Sequence, residues 1–414
     1  MNDGGFGSAF LLLESNMIGY YQEIINYCPL TVGATKLFST FIIDNGQMLD
    51  IEFKRTLEGF ITSLGDEIIV DSDGHISDIK TSNPLIKIKA INAFVPDWSI
   101  EPIDTTPYIF PEQLNAVELE IGERRLPATF VEPLKSAFAS ALFIGGSGKH
   151  DRHGRMGNLF TGYGLLLDGI AQAGVASLRF DRMKDNESNI SMQQIIIDGV
   201  SAWQELKKLS DAALPKIIIG HSLGGLVALA LANECADVAA IVLIATPGRD
   251  IQEVILDQLK WFITNANLDS ADAKILRAEH DAIVSELMAT TENGPSVLRN
   301  RLGAQFDALK EIYNLDVVKL VTSELPPVLI IDCVHDIQVT REDTLSLMKI
   351  LEQNNVKHIN YTLKGLNHLL QDSPPNEKNA VWHYGDQERK IEHKTIQSVI
   401  QLIRDVLKVV PESG

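Results

Sequence analysis

The stretch KIIIGHSLGGLVALALA, residues 216–232, decides the fold of this chain. A short apolar run typical of a buried strand precedes Ser222, and a longer one typical of a buried helix follows it. Gly220 and Gly224, two residues before and two after the serine, let the strand and the helix approach closely. In this context G-x-S-x-G indicates a nucleophile elbow, a turn that holds a serine in strained backbone geometry. The first backbone N–H groups of the helix would then face a developing oxyanion.

Two other interpretations of this turn stay open if the turn is considered alone. The pattern is short enough to occur by chance, and a glycine-rich turn between a strand and a helix is also typical of a phosphate-binding loop. No lysine follows the glycines, which argues against a Walker-type loop. The rest of the chain therefore has to distinguish a catalytic serine from a structural turn.

The composition limits the class of protein. The chain has 414 residues, 45% of them hydrophobic, which is enough for a large core and for more than one domain. A net charge of −19 argues against nucleic acid and against an anionic membrane surface as partners. The three cysteines form no C-x-x-C pair, so we expect neither a disulfide framework nor a zinc site. Without a signal-peptide pattern or an apolar run of membrane-spanning length, we expect a cytoplasmic protein.

Residues 1–112 are predicted to form a small α+β domain that ends in a proline-rich linker. A helical pattern over 8–27 is followed by several extended runs. An Asn-Gly pair at 45–46 and an Asp-Gly pair at 73–74 each separate two such runs, which is a strong short-range signal for a hairpin. A further strand is predicted over 85–93.

Residues 113–414 show alternating strands and helices, which predicts a doubly wound, mostly parallel sheet. After an opening hairpin, the predicted strands are 139–144, 175–180, 216–219, 239–245, 328–332 and 358–363. Ligands of such sheets bind beyond the carboxyl ends of the strands. A helical insert over 249–325 lies between two of these strands, and we expect it to be a lid over the strand ends. Packing or dimerisation is the alternative role of this insert.

A serine nucleophile needs a base and an acid that orients the base, and after a nucleophile elbow the acid precedes the histidine in the chain. Asp336 falls in the turn just past strand 328–332, while its competitor Asp332 lies at the very end of the strand. His368 follows the last strand through a short loop. We therefore predict that Ser222 attacks a carbonyl carbon, that His368 accepts the serine proton, and that Asp336 orients His368.

The oxyanion hole needs two backbone donors. One is predicted to be the N–H of Leu223, directly after the nucleophile. The other is expected from the glycine-rich loop after strand 139–144, where we predict the N–H of Ser147, with Gly146 as the alternative.

The same loop also carries potential metal ligands, namely His150, Asp151 and His153. No matching further cluster supports a metal site, so we expect neither a metal nor a cofactor. We expect instead that Arg152 and Asp151 brace the loop by an ion pair.

Together these motifs resemble the α/β-hydrolase superfamily, and more closely its bacterial esterases and acyl hydrolases with a G-S-G-x-x-D-R-x-G loop. The matching segments are GSGKHDRHG at 146–154, RFDR at 179–182, the elbow GHSLGG at 220–225, ATPGR at 245–249, DIQV at 336–339 and GLNH at 365–368. The resemblance covers roughly residues 113–410. It implies an α/β-hydrolase fold, a triad of Ser222, Asp336 and His368, and hydrolysis of carboxylic esters.

Two departures from the family pattern affect the loops around the site. The usual His-Gly at the start of the oxyanion loop is Gly145-Gly146 here. The Gly-x-Gly-x-Ser turn that usually follows the RFDR segment is replaced by MKDNES at 183–188. Both changes concern the shape of the substrate pocket and leave the predicted triad intact.

The leading hypothesis is a serine hydrolase that cleaves carboxylic esters through an acyl-enzyme and takes a small-molecule acyl ester or thioester. A thioesterase or acyltransferase acting on a carrier-bound or CoA-linked acyl group is the alternative, since it would use the same triad. The acidic N-terminal domain would then be a surface for carrier-protein docking, with homodimerisation as its other role. A non-catalytic binding protein on a hydrolase scaffold is a weaker alternative, because all three triad positions are intact.

Overall fold

A computed structural model describes most of residues 107–265 and 310–408 and several short stretches elsewhere. The described residues are 35–42, 47–56, 59–62, 67–70, 76–80, 107–156, 159–184, 187, 190–265, 274, 285, 310–373 and 391–408. The predicted helix over 8–27, the predicted strand over 85–93 and much of the predicted insert lie outside these residues. No helix in the described ranges is long and apolar enough to cross a membrane.

Five strands near the amino terminus form an antiparallel sheet in which each strand pairs with the next. They are β1 (Thr35–Ile42), β2 (Gln47–Arg55), β3 (Gly59–Thr62), β4 (Glu67–Val70) and β5 (Ile76–Lys80). Strands β1 and β2 flank the Asn-Gly pair, and β4 and β5 flank the Asp-Gly pair, so both predicted hairpins are confirmed. Phe60 of β3 lies opposite Ile68 of β4, and both side chains are buried. The domain boundary at residue 112 stays a prediction.

An eight-stranded sheet forms the centre of the chain. Its strands are β6 (Leu114–Ile121), β7 (Leu126–Pro133), β8 (Ala139–Ile144), β11 (Val175–Phe180), β12 (Lys216–His221), β13 (Val238–Ile244), β14 (Val328–Cys333) and β15 (His358–Leu363). They lie in the order β6-β7-β11-β8-β12-β13-β14-β15. Only β7 runs against its neighbours. A small hairpin of β9 (Arg155–Met156) and β10 (Leu159–Phe160) lies apart from the sheet.

Helices cover both faces of this sheet. They are α1 (Tyr163–Gln172), α2 (Met192–Leu209), α3 (Leu223–Glu234), α4 (Ile251–Asn265), α5 (Val317–Leu320), α6 (Arg341–Gln353) and α7 (His393–Lys408). Side chains alternate between the faces of a strand. Leu142 of β8 therefore belongs to the core between the sheet and α2, α3 and α6, whereas Phe143 belongs to the core on the other face, with α1 and α7. Strands β8, β12 and β14 are buried along their whole length, as near-continuous apolar runs of a parallel sheet are. The chain has the α/β-hydrolase fold that its sequence predicts.

Helix α2 begins at Met192, where the Ser191 side chain accepts a hydrogen bond from the Gln194 N–H and caps the helix. The described part of the predicted insert comprises residues 249–265, 274, 285 and 310–325. At its start, Arg249 pairs with Asp257 of α4 at 2.8 Å. Whether the insert is a lid stays a prediction.

Candidate active site

Ser222 lies between β12 and α3 with φ 54° and ψ −127°, a backbone conformation that side-chain-bearing residues rarely adopt. Its N–H donates to the carbonyl of Ile244 at 2.8 Å, and its own carbonyl accepts from the Gly225 N–H at 2.9 Å. A neighbouring strand and the first turn of α3 thus hold the serine in its strained conformation. Such strain costs on the order of 1–3 kcal/mol and is typical of functional sites.

Three glycines around Ser222 leave no room for a side chain. A Cβ on Gly220 would lie 2.4 Å from the Gly224 carbonyl oxygen, and one on Gly224 would lie 2.3 Å from the Ile144 carbonyl oxygen. A Cβ on Gly225 would lie 1.9 Å from Thr246 Oγ1. The strand and the helix approach each other as closely as the G-x-S-x-G pattern predicts.

Gly225→Ala is expected to lower the free energy of unfolding by about 1–3 kcal/mol, because the new methyl group overlaps Thr246 and forces the elbow apart. Urea unfolding of the variant and of the unchanged protein measures the difference. Gly199→Ala in α2 is the matched control. The three atoms nearest to its Cβ all belong to the Leu231 side chain, at 2.7–3.2 Å, and this side chain can shift, so a change within about 1 kcal/mol is expected. Equal stability of Gly225→Ala and Gly199→Ala would contradict this account.

His368 and Asp336 form a buried pair, as the sequence analysis predicts. His368 Nδ1 lies 2.7 Å from Asp336 Oδ2. The other oxygen of Asp336 accepts hydrogen bonds from the N–H groups of Gln338 at 2.8 Å and Val339 at 2.9 Å. The carboxylate can therefore accept a hydrogen bond from the Nδ1–H of His368. This leaves Nε2 as the nitrogen that can accept a proton.

Asp332, the competing acid, has other partners. Its carboxylate accepts from Arg341 Nη1 at 2.8 Å, from Asn360 Nδ2 at 2.8 Å and from Thr362 Oγ1 at 3.0 Å. These contacts connect β14 to β15 and to the start of α6. The structure thus pairs Asp336, and not Asp332, with the histidine.

Asn367, which the sequence analysis missed, shapes the loop that carries His368. Its buried side-chain oxygen accepts from the N–H groups of Leu369 at 2.9 Å and Gln371 at 3.0 Å. These bonds close a tight turn, and Leu370 within it has a φ of 60°. The signal was available, because an Asn that bonds the backbone two residues on is typical of such turns.

The glycine-rich loop after β8 lies against the serine. A Cβ built on Gly146 would be 3.2 Å from Ser222 Cβ. The Gly146 N–H already donates to Tyr163 Oη at 3.1 Å. Leu223 supplies the first amide of α3, and the geometry of a helix gives that N–H no acceptor within the helix. Ser147 and Gly146 were the two N–H donors considered for this loop. The Gly146 N–H already has an acceptor within the protein, the Tyr163 hydroxyl.

A chain of hydrogen bonds joins this loop to the loop of His368. Tyr163 Oη lies 2.7 Å from His221 Nδ1, and His221 Nε2 lies 2.8 Å from the His368 carbonyl oxygen. Because that carbonyl can only accept, Nε2 of His221 carries a proton, and in neutral His221 the Nδ1 accepts from the Tyr163 hydroxyl. Burial lowers the pKa of His221 well below its usual value and raises the pKa of Tyr163 to about 12, so both groups are neutral. The sequence analysis did not anticipate either residue.

The potential metal ligands of the glycine-rich loop have separate surroundings. His150 Nε2 lies 3.2 Å from the Gly146 carbonyl oxygen, and burial, with a smaller effect of Arg182, lowers its pKa to about 4. The His153 ring stacks on Tyr108 with 4.1 Å between ring centroids, and burial lowers its pKa to about 2. Within the described ranges, no group of three or more His, Cys, Asp or Glu side chains is arranged to hold a metal.

The expected ion pair between Asp151 and Arg152 is wrong. Arg152 instead pairs with Asp181 at 3.0 Å and with Glu118 at 2.9 Å. Asp151 Oδ1 accepts from the N–H groups of His153 and Arg155, both at 2.8 Å. The carboxylate is thus engaged in its own turn, and adjacent side chains of an irregular loop point in different directions. Arg152 connects the loop to the first strands of the sheet.

Comparison with known proteins adds one likeness in sequence. No protein-family model matches the chain. Over 269 residues the chain is 28% identical to the esterase EstD of Thermotoga maritima. The matched region covers 64% of this chain and 62% of that esterase. A solved esterase of Pyrococcus furiosus is similar over 74% of this chain and 97% of its own, with 12% identity and a TM-score of 0.45. Est1E of Butyrivibrio proteoclasticus is similar over 71% of this chain and 99% of its own, with 16% identity and a TM-score of 0.42.

Proposed function

We propose that this protein is a serine hydrolase that cleaves carboxylic esters through an acyl-enzyme. The observation that carries the proposal is the buried His368–Asp336 pair with its 2.7 Å contact, on the loops that follow β15 and β14. These loops leave the same edge of the parallel sheet as the turn of Ser222, which follows β12. The strained serine and the likeness in sequence to an esterase support the same reaction.

In the first half of the reaction Ser222 Oγ attacks the carbonyl carbon of the ester, and His368 Nε2 takes the hydroxyl proton. The negative charge that develops on the carbonyl oxygen is stabilised by the N–H groups of Leu223 and Ser147. Asp336 holds the ring in the tautomer that leaves Nε2 basic and stabilises the imidazolium. The C–O bond to the alcohol then breaks, and His368 returns the proton to the departing oxygen.

In the second half, a water molecule takes the place of the alcohol. The water oxygen attacks the acyl carbon while His368 accepts a proton from the water. The N–H groups of Leu223 and Ser147 again stabilise the oxyanion. Collapse of this intermediate breaks the bond to Ser222 Oγ and returns the proton to it. The products are a carboxylic acid, an alcohol and the unchanged protein.

The test compares an oxygen ester with a thioester of the same acyl chain. Ethyl butyrate and butyryl-CoA are incubated with the protein, and the released acid and thiol are measured, with Ser222→Ala as the blank. We expect kcat/KM for the oxygen ester to exceed that for the thioester. A thioester rate at least tenfold higher would favour the thioesterase or acyltransferase hypothesis instead. If the protein hydrolyses neither of these two substrates nor p-nitrophenyl butyrate, that result contradicts a general esterase.

A further inference from the structure

Arg182 is a buried cation beside the glycine-rich loop, just after β11. Only 7% of its surface is exposed, and its Nη1 donates to the carbonyl oxygens of Gly146 at 2.7 Å and Gly145 at 3.2 Å. No Asp or Glu oxygen of the described residues pairs with this guanidinium. Within the described residues, the guanidinium of this charged, buried side chain thus donates to two neutral carbonyl groups, and such a group needs a reason to be retained.

Burial without a carboxylate has a measurable consequence. It lowers the pKa of Arg182 to about 10, which still leaves the side chain charged at neutral pH. The neighbouring Arg152 differs, because two carboxylates neutralise it. The positive charge of Arg182 therefore acts on the loop with little local compensation, and the low dielectric of the interior strengthens that effect.

The contacts of Arg182 determine the direction of two consecutive peptide groups. In a trans peptide the C=O and the N–H point in opposite directions, and the described residues contain no cis peptide bond. With the Gly145 carbonyl on Arg182, the N–H of Gly146 points away from it and reaches Tyr163 Oη. With the Gly146 carbonyl on the same guanidinium, the N–H of Ser147 also points away from Arg182.

The neighbouring His150 also lies against this loop. Its Nε2 is 3.2 Å from the Gly146 carbonyl oxygen, and its Nδ1 is 3.2 Å from the Asp151 carbonyl oxygen. Because a neutral imidazole carries one N–H, His150 can donate to only one of these carbonyls, whereas Arg182 holds the Gly146 carbonyl in either tautomer. The loop borders the nucleophile, since a Cβ built on Gly146 would lie 3.2 Å from Ser222 Cβ. A donor to the carbonyl oxygen of a peptide group also polarises its N–H, which strengthens the N–H as a donor.

We propose that Arg182 is a positioning residue of the oxyanion hole. Its guanidinium holds the Gly145 and Gly146 carbonyls so that the Ser147 N–H faces the tetrahedral intermediate, and its charge polarises that N–H. This inference rests on the proposed function of Ser222. Arg182 acts through the loop and does not touch the substrate, so its loss should weaken stabilisation of the intermediate more than binding of the ester.

The test removes the guanidinium and measures kcat and KM for p-nitrophenyl butyrate. Arg182→Met is expected to lower kcat about 10²–10³-fold, as loss of one oxyanion donor does, with KM changed less than about threefold. Arg182→Lys keeps the charge but replaces the planar guanidinium with a single ammonium group, which cannot reproduce the geometry of both hydrogen bonds. Its kcat should therefore lie between those of Arg182→Met and the unchanged protein. Arg152→Met, the matched control on the same loop, should change kcat less than about fivefold.

A pair of inhibitors separates positioning from general damage to the loop. A trifluoromethyl ketone adds to the serine and forms an oxyanion, whereas the methyl ketone of the same chain binds without doing so. In Arg182→Met the inhibition constant of the fluorinated ketone should rise by about the factor lost in kcat, and that of the methyl ketone should stay within about threefold. Equal weakening of both inhibitors, or an unchanged kcat, would overturn the role of Arg182. If Arg182→Met does not fold, kcat and the two inhibition constants are measured for Arg182→Lys instead. Equal weakening of both inhibitors, or an unchanged kcat, would again overturn the role of Arg182.

Labelling by a fluorophosphonate distinguishes this inference from the function on which it rests. The reagent forms a covalent bond with an activated serine whatever the natural leaving group. If the unchanged protein is not labelled at Ser222, the proposed function fails and the role of Arg182 fails with it. If the unchanged protein is labelled and Arg182→Met is labelled at the same rate, only the role of Arg182 fails. Slower labelling of Arg182→Met than of Arg152→Met supports it.

Discussion

Ser222→Ala is expected to lower kcat/KM for p-nitrophenyl butyrate by about four to six orders of magnitude. The variant lacks the only atom that can form the acyl-enzyme in the proposed reaction, while the backbone donors that would hold the oxyanion stay. What remains is direct attack of water on an ester whose carbonyl the backbone donors still polarise. Steady-state kinetics with protein concentrations up to the micromolar range, together with mass spectrometry of the fluorophosphonate adduct, measure the loss.

The control for Ser222→Ala is another serine that begins a helix. Ser191→Ala removes the cap of α2 and should lower the free energy of unfolding by about 1 kcal/mol, with kcat/KM unchanged within about threefold. This comparison separates loss of the nucleophile from loss of stability. Activity of Ser222→Ala within tenfold of the unchanged protein would mean that another residue carries the reaction.

Asp336→Asn is expected to lower kcat by about 10⁴-fold. The amide keeps the shape of the side chain but cannot hold His368 in the tautomer with a proton on Nδ1, nor can it stabilise the imidazolium. The contacts of Asp336 with Gln338 and Val339 need only an acceptor oxygen, so the loop can keep its form. Stopped-flow and steady-state rates at neutral pH, with circular dichroism for folding, check the prediction.

Asp332→Asn, at a carboxylate four residues away, is the control for Asp336→Asn. We expect it to lower stability rather than kcat. Asp332 bonds Arg341, Asn360 and Thr362, so its change should lower the free energy of unfolding by about 1–3 kcal/mol. Its kcat should stay within about tenfold of the unchanged protein. A large loss of kcat in Asp332→Asn, with a small one in Asp336→Asn, would exchange the roles of the two acids.

The sheet and the elbow could be predicted because their signals are local. Each inner strand is six or seven residues long and mostly apolar, and burial on both faces of a parallel sheet requires such a segment wherever the strand lies. The turn at Ser222 needs small residues at Gly220 and Gly224 for steric reasons that hold within a few residues of the chain. The order of serine, acid and histidine then follows from the order of the strands in this fold.

The partners of charged and polar side chains could not be predicted in the same way. Asp336 could be chosen over Asp332 because it falls past the end of β14, and the structure pairs it with His368. The partners of Asp332, which lie on β15 and α6, were not anticipated. Arg152 was expected to pair with the adjacent Asp151, yet it pairs with Asp181, 29 residues along the chain. Sequence spacing says little about such contacts, because the loops that bring the partners together have no periodic pattern.

The sequence by itself determined the doubly wound sheet, the two N-terminal hairpins, the strained serine turn and the residue types available to the site, since each depends on neighbours in the chain. Only the tertiary structure decided how the loops are held against one another. In the link from Gly146 through Tyr163 and His221 to His368, a single hydrogen bond spans up to 147 positions of the chain. Arg182 reaches its two carbonyls across 36 and 37 positions. These contacts form because buried polar groups must find partners wherever the fold brings them, and that requirement selects partners by distance in space rather than along the chain.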